Sequence, residues 1–151
     1  MLNGTEILDK CSGLPAPSPA QASLMARQWA RDMASDLPGL DMTATSVEVI
    51  EKTLLQAREE NQCDTIEEFD TAAGFLFFLG LVYGETLRLA INAKWVAADR
   101  ALGMPLALEV RDGERKMIWN PFGKVFKMLD DPEADSVLGF FHYVVKNPMG
   151  P

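Results

Sequence analysis

The chain has 151 residues, of which 48% are hydrophobic and 24% are charged, proportions typical of one soluble globular domain. Its 14 basic and 22 acidic residues give a formal net charge of -8, which argues against a binder of nucleic acid or anionic membranes that depends on a basic surface. We therefore expect a single domain over residues 1–151, in which residues 1–18 form a loop-like N-terminal segment.

The cysteines and the apolar runs bear on the cellular compartment. Cys11 and Cys63 are too few for a disulfide framework in a chain of this length, and they lack the CxxC or Cys/His spacing of a zinc site. The first ten residues include Glu6 and Asp9 and show no basic segment leading into an apolar stretch, so no signal peptide is indicated. The longest run without charge or strong polarity, residues 71–84, has 14 residues, fewer than the roughly 20 needed to cross a bilayer. We predict a cytoplasmic protein with reduced thiols.

Two helix-start signals occur before residue 50. Ser18 followed by Pro19 supplies a capping side chain and a proline at the first helical position, which predicts a first helix. Apolar residues recur at four-residue spacing along it, and we expect it to end before Pro38. A Thr-Ser-Val-Glu capping box at Thr45 predicts a second helix that runs towards Asn61.

The third helix is the most apolar part of the chain. A second capping box at Thr65 opens it, and its apolar positions continue to Ile91. Between Gly74 and Gly84 it is apolar on every side, which places it at the centre of the fold with other elements around it. Each helical glycine costs roughly 1 kcal/mol relative to alanine. We therefore expect a neighbour to pack closely against Gly74, Gly80 and Gly84.

After the third helix the pattern changes to short strands. We predict strands at residues 94–98, 105–111 and 115–119. The dipeptide Asp112-Gly113 is expected as the turn of a tight hairpin. Asn120-Pro121 and Asp131-Pro132 each combine a capping side chain with a following proline. They predict two helices, over residues 121–129 and 132–146. The predicted fold class is α+β, with three N-terminal helices, a three-stranded antiparallel meander and two C-terminal helices.

Few residues suggest catalysis. The one histidine, His142, belongs to no HExxH motif, and the chain has no GxSxG nucleophile elbow and no phosphate-binding glycine loop. Glu85 directly follows the apolar run, and Arg88 lies one helical turn further on, so a structural ion pair is favoured over a catalytic acid. We expect no catalytic residue, no metal and no cofactor. A triad assembled in space, or a deep polar pocket around Glu85 or His142, would instead indicate a small enzyme.

The excess negative charge lies in the first part of the chain. Residues 1–92 carry six basic and 14 acidic side chains, whereas residues 93–151 carry eight of each. Six carboxylates fall within 12 residues that include no Lys or Arg, and we name this set the acidic corner: Glu59, Glu60, Asp64, Glu67, Glu68 and Asp70. Glu67 and Glu68 lie in a first helical turn, where the helix dipole stabilises them. Glu59 and Glu60 lie in a last turn, where the dipole disfavours them. Two interpretations remain open, a cationic partner and a solvated surface.

Four motifs follow one another in the last two thirds of the chain: Val82-Tyr83-Gly84-Glu85-Thr86-Leu87-Arg88, Lys94-Trp95-Val96, Pro105-Leu106-Ala107-Leu108 and Asn120-Pro121-Phe122-Gly123-Lys124-Val125. Their order and spacing resemble the bacterial family catalogued as domain of unknown function 3806. In that family, a helix with a Gly-Glu-x-x-Arg element precedes a Trp-Val strand, a hairpin and a proline-led helix. The resemblance supplies no catalytic residues to carry over, and most of the acidic corner lies outside it.

The resemblance implies a bacterial protein of the kind often encoded beside secreted antibacterial toxins. We therefore expect a non-enzymatic immunity protein that neutralises a cognate toxin by covering its active site, with the acidic corner steering a basic toxin surface. The alternative is an adaptor or chaperone that binds a secreted effector without inhibiting it. Because a toxin gene directly adjacent would favour immunity and secretion genes alone would favour an adaptor, gene neighbourhood distinguishes the two.

Overall fold

The computed structural model describes residues 17–60, 66–98 and 106–151, with side chains from residue 71 onward in the second range. Most of the predicted N-terminal loop segment, both cysteines and the predicted capping residue Thr65 lie outside the described residues. The described elements are α1 (Pro19–Asp32), α2 (Ala44–Glu60), α3 (Ile66–Ile91), β1 (Lys94–Ala97), β2 (Leu106–Asp112), β3 (Arg115–Trp119), α4 (Pro121–Asp130) and α5 (Val137–Lys146). This order confirms the predicted α+β class with its three helices, three strands and two helices.

Helix α1 begins where predicted and ends early. Ser18 is its N-cap, and the Ser18 backbone N–H donates to Oε1 of Gln21 at 3.3 Å. The helix ends before Pro38, as predicted, but it stops as early as Asp32, and the next residues form turns. The N–H of Leu37 still bonds to the carbonyl of Met33 at 2.7 Å, so the chain stays coiled. Serine and aspartate side chains compete with helical hydrogen bonds, and the residue before a proline avoids helical angles.

Helix α2 begins one residue before the predicted capping box. The box at Thr45 is wrong as a helix start, because Ala44 is already helical. Asp41 organises the entry by accepting hydrogen bonds from the backbone N–H and the hydroxyl of Thr43, at 3.0 and 2.5 Å. The buried hydroxyl of Ser46 accepts from the N–H of Met42 at 2.8 Å. The Ser46 side chain therefore forms its hydrogen bonds with the preceding loop.

Helix α3 is the centre of the fold, as predicted. It contacts α1, α2, α4, α5 and β2, and every residue from 79 to 87 is buried. A Cβ atom at Gly80 would lie 2.6 Å from the Phe122 ring, and one at Gly84 would overlap the Trp95 ring. Close packing at these two glycines is confirmed. The same explanation is wrong for Gly74, where no described atom lies within 4 Å of the Cβ position.

The same helix is also the one described segment that could span a membrane by length and composition. This segment, Thr71–Ile91, is longer than the uncharged run because it continues through Glu85 and Arg88. A buried core helix has the same composition, and 61% of the 18-residue apolar window in this segment is buried inside the fold.

A left-handed residue directs the chain from α3 into the sheet. Asn92 has a φ of 55°, and the N–H of Ala93 bonds back to the carbonyl of Arg88 at 2.9 Å. This is a Schellman-type helix end, in which asparagine tolerates the left-handed conformation. The turn brings Trp95 of β1 back against the last buried turns of α3.

The three strands form an antiparallel sheet in the order β1-β2-β3. Leu108 pairs with Trp95 on one side and Trp119 on the other, so these three side chains share the face that packs on the core. Asp112 pairs with Arg115, and the two turn residues are therefore Gly113 and Glu114, one position later than predicted. Gly113 has a φ of 62°, and glycine in this position is typical of a type II′ hairpin turn.

The two C-terminal helices differ in how well their starts were predicted. Helix α4 begins at the expected Asn120 cap, whose side chain accepts from the N–H of Gly123 at 3.1 Å. The predicted start at residue 132 is wrong, because α5 begins at Val137 with Ser136 as its cap. Asp131 instead closes an isolated turn by accepting from the N–H of Ala134 at 3.2 Å. An Asp-Pro pair starts turns as readily as helices.

Candidate functional site

The structure places the acidic corner at the end of α2 and the beginning of α3. Glu59 and Glu60 are exposed in the last turn of α2. Asp64 lies outside the described residues. The backbones of Glu67, Glu68 and Asp70 belong to α3, but their side chains lie outside the described part of the chain. Of the six predicted residues, the structure therefore describes the side chains of two.

In the described part of the chain, no cation forms an ion pair with the carboxylates in the last turn of α2. Arg58 is the basic residue of that turn, and its Nε donates to the carbonyl oxygen of Leu129 at 3.0 Å. Gln56 donates to Oε1 of Glu60 at 3.0 Å, which holds that carboxylate without neutralising it. Within the described ranges, neither Glu59 nor Glu60 forms an ion pair. The helix dipole adds a further unfavourable interaction at this end.

An exposed apolar side chain lies beside these carboxylates. Leu55 is 40% exposed, and it precedes Glu59 by four residues, so both project from the same side of α2. Lys52 and Glu48 continue this exposed face towards the start of the helix. The end of α2 thus presents an exposed apolar side chain beside two carboxylates that form no ion pair with any described residue. Sequence reasoning identified the charge but did not identify Leu55.

A second polar cluster lies inside the fold around Glu85. We name it the Glu85 cluster: Glu85, Ser23, Arg27, Arg88 and Trp95. The Glu85 side chain has 0% exposure. Its Oε1 accepts from Arg88 Nε at 2.6 Å, the Ser23 hydroxyl at 2.8 Å and Trp95 Nε1 at 3.1 Å. Its Oε2 accepts from Arg88 Nη2 at 3.0 Å, with Arg27 Nη2 at 3.3 Å.

These contacts determine the protonation of Glu85. Burial raises its pKa, but hydrogen bonds from Arg88, Ser23 and Trp95 outweigh burial and leave the pKa below its ordinary value. The hydrogen bonds that Arg88 donates to Glu85 raise the pKa of Arg88. A carboxylate that is ionised, fully buried and bonded through both oxygens is suited to joining α1, α3 and β1. The predicted ion pair between Glu85 and Arg88 is confirmed, as part of a larger cluster.

The enzyme hypothesis required a polar pocket around Glu85 or His142. A hollow of about 400 Å³ does lie beside the cluster, and Ser23, Arg88 and Trp95 contribute to its lining. Glu85 has no surface in it. His142 is exposed on α5 and packs edge-on against the ring of Phe141, with ring centroids 5.8 Å apart. The described residues hold no group of three or more potential metal ligands.

Sequence reasoning found one of the four partners of Glu85. Arg88 was identified because it lies one turn away on the same helix. Ser23 and Arg27 lie about 60 residues earlier, and their only local signal is a spacing of four residues, which puts both on one side of α1. No local signal connected Trp95 with Glu85.

No protein-family model, curated protein or solved structure matches the chain. The resemblance to domain of unknown function 3806 therefore remains a prediction that rests on the four motifs.

Proposed function

We propose that this chain is a non-enzymatic immunity protein that binds a cognate secreted toxin and occludes its active site. The observation that carries the proposal is the use of Arg58. This cation donates to the Leu129 carbonyl, and within the described ranges Glu59 and Glu60, at the exposed end of α2, form no ion pair. Such charge costs stability in the free protein. A cationic partner would recover that cost on binding.

The proposed surface combines steering with an anchor. Glu59 and Glu60 provide the negative field that raises the association rate with a basic protein. Leu55 provides apolar area that a partner can bury, and buried apolar anchors near charged rims carry much of the binding energy in protein complexes. A stable inhibitor complex of standard size would bury roughly 1,600 Å² in total. The contact would therefore extend well beyond these three residues.

The first experiment is co-expression of the chain with the product of each directly adjacent gene. We expect one of these products to arrest growth when expressed alone and to be neutralised by the chain. The two proteins should then elute together in a one-to-one complex. Absence of rescue with every adjacent product would refute the immunity proposal, whereas a stable complex without rescue would favour the adaptor alternative.

A charge-reversal pair tests the surface itself. Glu59→Lys with Glu60→Lys should slow association with the purified toxin by at least about tenfold at low salt, because electrostatic steering acts on the association rate. The matched control is Glu114→Lys with Glu133→Lys, which makes the same charge change at exposed positions of the C-terminal half. An equal effect of both pairs would show that net charge matters and that the end of α2 does not.

A further inference from the structure

The hollow beside the Glu85 cluster lies between the beginning of α1 and the beginning of β1. It measures about 400 Å³, and its lining includes Pro19, Ala20, Ser23, Arg88, Lys94 and Trp95. Its lining is mixed, because it combines an indole ring and a proline with two cationic side chains. Glu59, Glu60 and Leu55 are not among its described lining residues, so the hollow is a different surface feature from the end of α2.

The hollow is positively charged in a chain whose net charge is -8. The single carboxylate of Glu85 is shared by Arg88 and Arg27. Lys94 adds a further positive charge at the rim. Its cross-strand partner is Glu109, but Oε1 of Glu109 accepts from Arg111 at 2.6 Å. No described carboxylate lies within ion-pair distance of Lys94.

Arg88 is held in place and still has hydrogen-bonding capacity. Its Nε and Nη2 donate to the two oxygens of Glu85, which fixes the plane of the guanidinium. No described hydrogen bond uses Nη1, and the side chain is 24% exposed where it lines the hollow. A guanidinium that is already ordered loses little conformational freedom on binding an oxyanion. The first turn of α1 faces the same space, where the helix dipole favours negative charge.

We propose that this hollow binds a small oxyanion, a carboxylate or a phosphate, between Arg88 and Lys94. The oxyanion accepts hydrogen bonds from Nη1 of Arg88 and Nζ of Lys94. The indole of Trp95 and the ring of Pro19 form the apolar wall against which the remainder of an organic ligand packs. Glu85 orders Arg88 from behind and does not touch the ligand.

The test is a titration of the full chain, labelled with ¹⁵N, with sodium phosphate and separately with sodium acetate at constant ionic strength. We expect at least one of the two anions to shift the indole N–H resonance of Trp95 saturably, with one site per chain. The anion that saturates the site shows which chemistry it accepts. The resonance is assigned by its loss in Trp95→Phe.

Two lysine variants make the test specific. Lys94→Ala should weaken binding about tenfold, the usual order for loss of a charged hydrogen bond. Lys116→Ala, at another exposed position on the same sheet, should leave the affinity unchanged. Both side chains are exposed, so neither change threatens the fold. Shifts that grow linearly with both anions, or equal weakening by both variants, would overturn the proposal.

Discussion

The indole Nε1 of Trp95 donates a hydrogen bond to Oε1 of Glu85 at 3.1 Å. The contact is possible because the residue before Glu85 is Gly84, which lets the indole ring lie directly against α3. Trp95 is 4% exposed, so the strand contributes both apolar burial and a hydrogen-bond donor to the charged cluster. A glycine, a carboxylate and a tryptophan from two elements thus form one packing unit.

Replacement of Trp95 by phenylalanine tests the hydrogen-bonding part of this unit. Trp95→Phe retains an aromatic ring and removes the donor, and we expect a loss of about 1–2 kcal/mol in the free energy of unfolding. Urea unfolding followed by circular dichroism measures it. Trp29→Phe is the control, because Trp29 is half-buried, stacks on Phe78 and donates to no described residue. Equal losses in both variants would mean that ring size alone matters.

Removal of the Glu85 charge tests the electrostatic contribution of this packing unit to stability. Glu85→Gln leaves Arg88 and Arg27 without their carboxylate, and we expect a loss of about 3 kcal/mol at pH 7, typical of breaking a buried ion pair. The pKa of Glu85 is lower in the folded protein than in the unfolded chain. The ionised carboxylate therefore makes its full contribution to the free energy of unfolding above the unfolded pKa of about 4.3, and this contribution is lost as the pH falls through the folded-state pKa.

The free energies of unfolding of the unmodified chain and of Glu85→Gln should therefore differ less in acid than at pH 7. Urea unfolding of the unmodified chain and of Glu85→Gln at pH 7, 5, 4 and 3 checks this. Glu114→Gln, in the exposed hairpin turn, should cost little at any of these pH values. A difference between the unmodified chain and Glu85→Gln that stays constant down to pH 3 would contradict the assigned ionised state.

The glycines of α3 should respond to alanine in opposite directions. Gly84→Ala forces the Trp95 ring away, and we expect it to cost about 1–3 kcal/mol, as overpacked cores do. Gly74→Ala meets no described atom and gains helix propensity, so it should stabilise by about 0.5–1 kcal/mol. Thermal unfolding of the two variants measures both. Stabilisation by Gly84→Ala would show that the indole does not depend on this glycine.

The predicted elements were correct where one local signal had no competitor. Ser18 before Pro19 and Asn120 before Pro121 each begin a helix at the expected place. The errors arose where two signals lay close together. Thr45 has cap chemistry, but Asp41 and Thr43 organise the entry first, and Ser46 is buried in the preceding loop. Such choices depend on which side chain becomes buried, and burial is a property of the whole fold.

The candidate sites were predictable only in part for a related reason. The acidic corner could be found from the sequence, because the net charge of a short segment follows from counting its acidic and basic residues. The hydrogen bond from Arg58 to the carbonyl of Leu129, 71 residues away, was not visible, because it depends on how α2 packs against α4. The partners of Glu85 on α1 depend in the same way on the packing of α1 against α3.

The start of α5 gives a direct comparison between sequence pattern and structure. Ser136→Ala removes the side chain that accepts from the Gly139 N–H and that also contacts Glu51, and we expect a loss of about 1–2 kcal/mol in the free energy of unfolding. Asp131→Ala opens only an exposed turn and should cost less than about 0.5 kcal/mol. Urea unfolding of both variants measures the two losses in the free energy of unfolding. A larger loss for Asp131→Ala would place the helix start at residue 132, because only a helix beginning there depends on Asp131 as its cap.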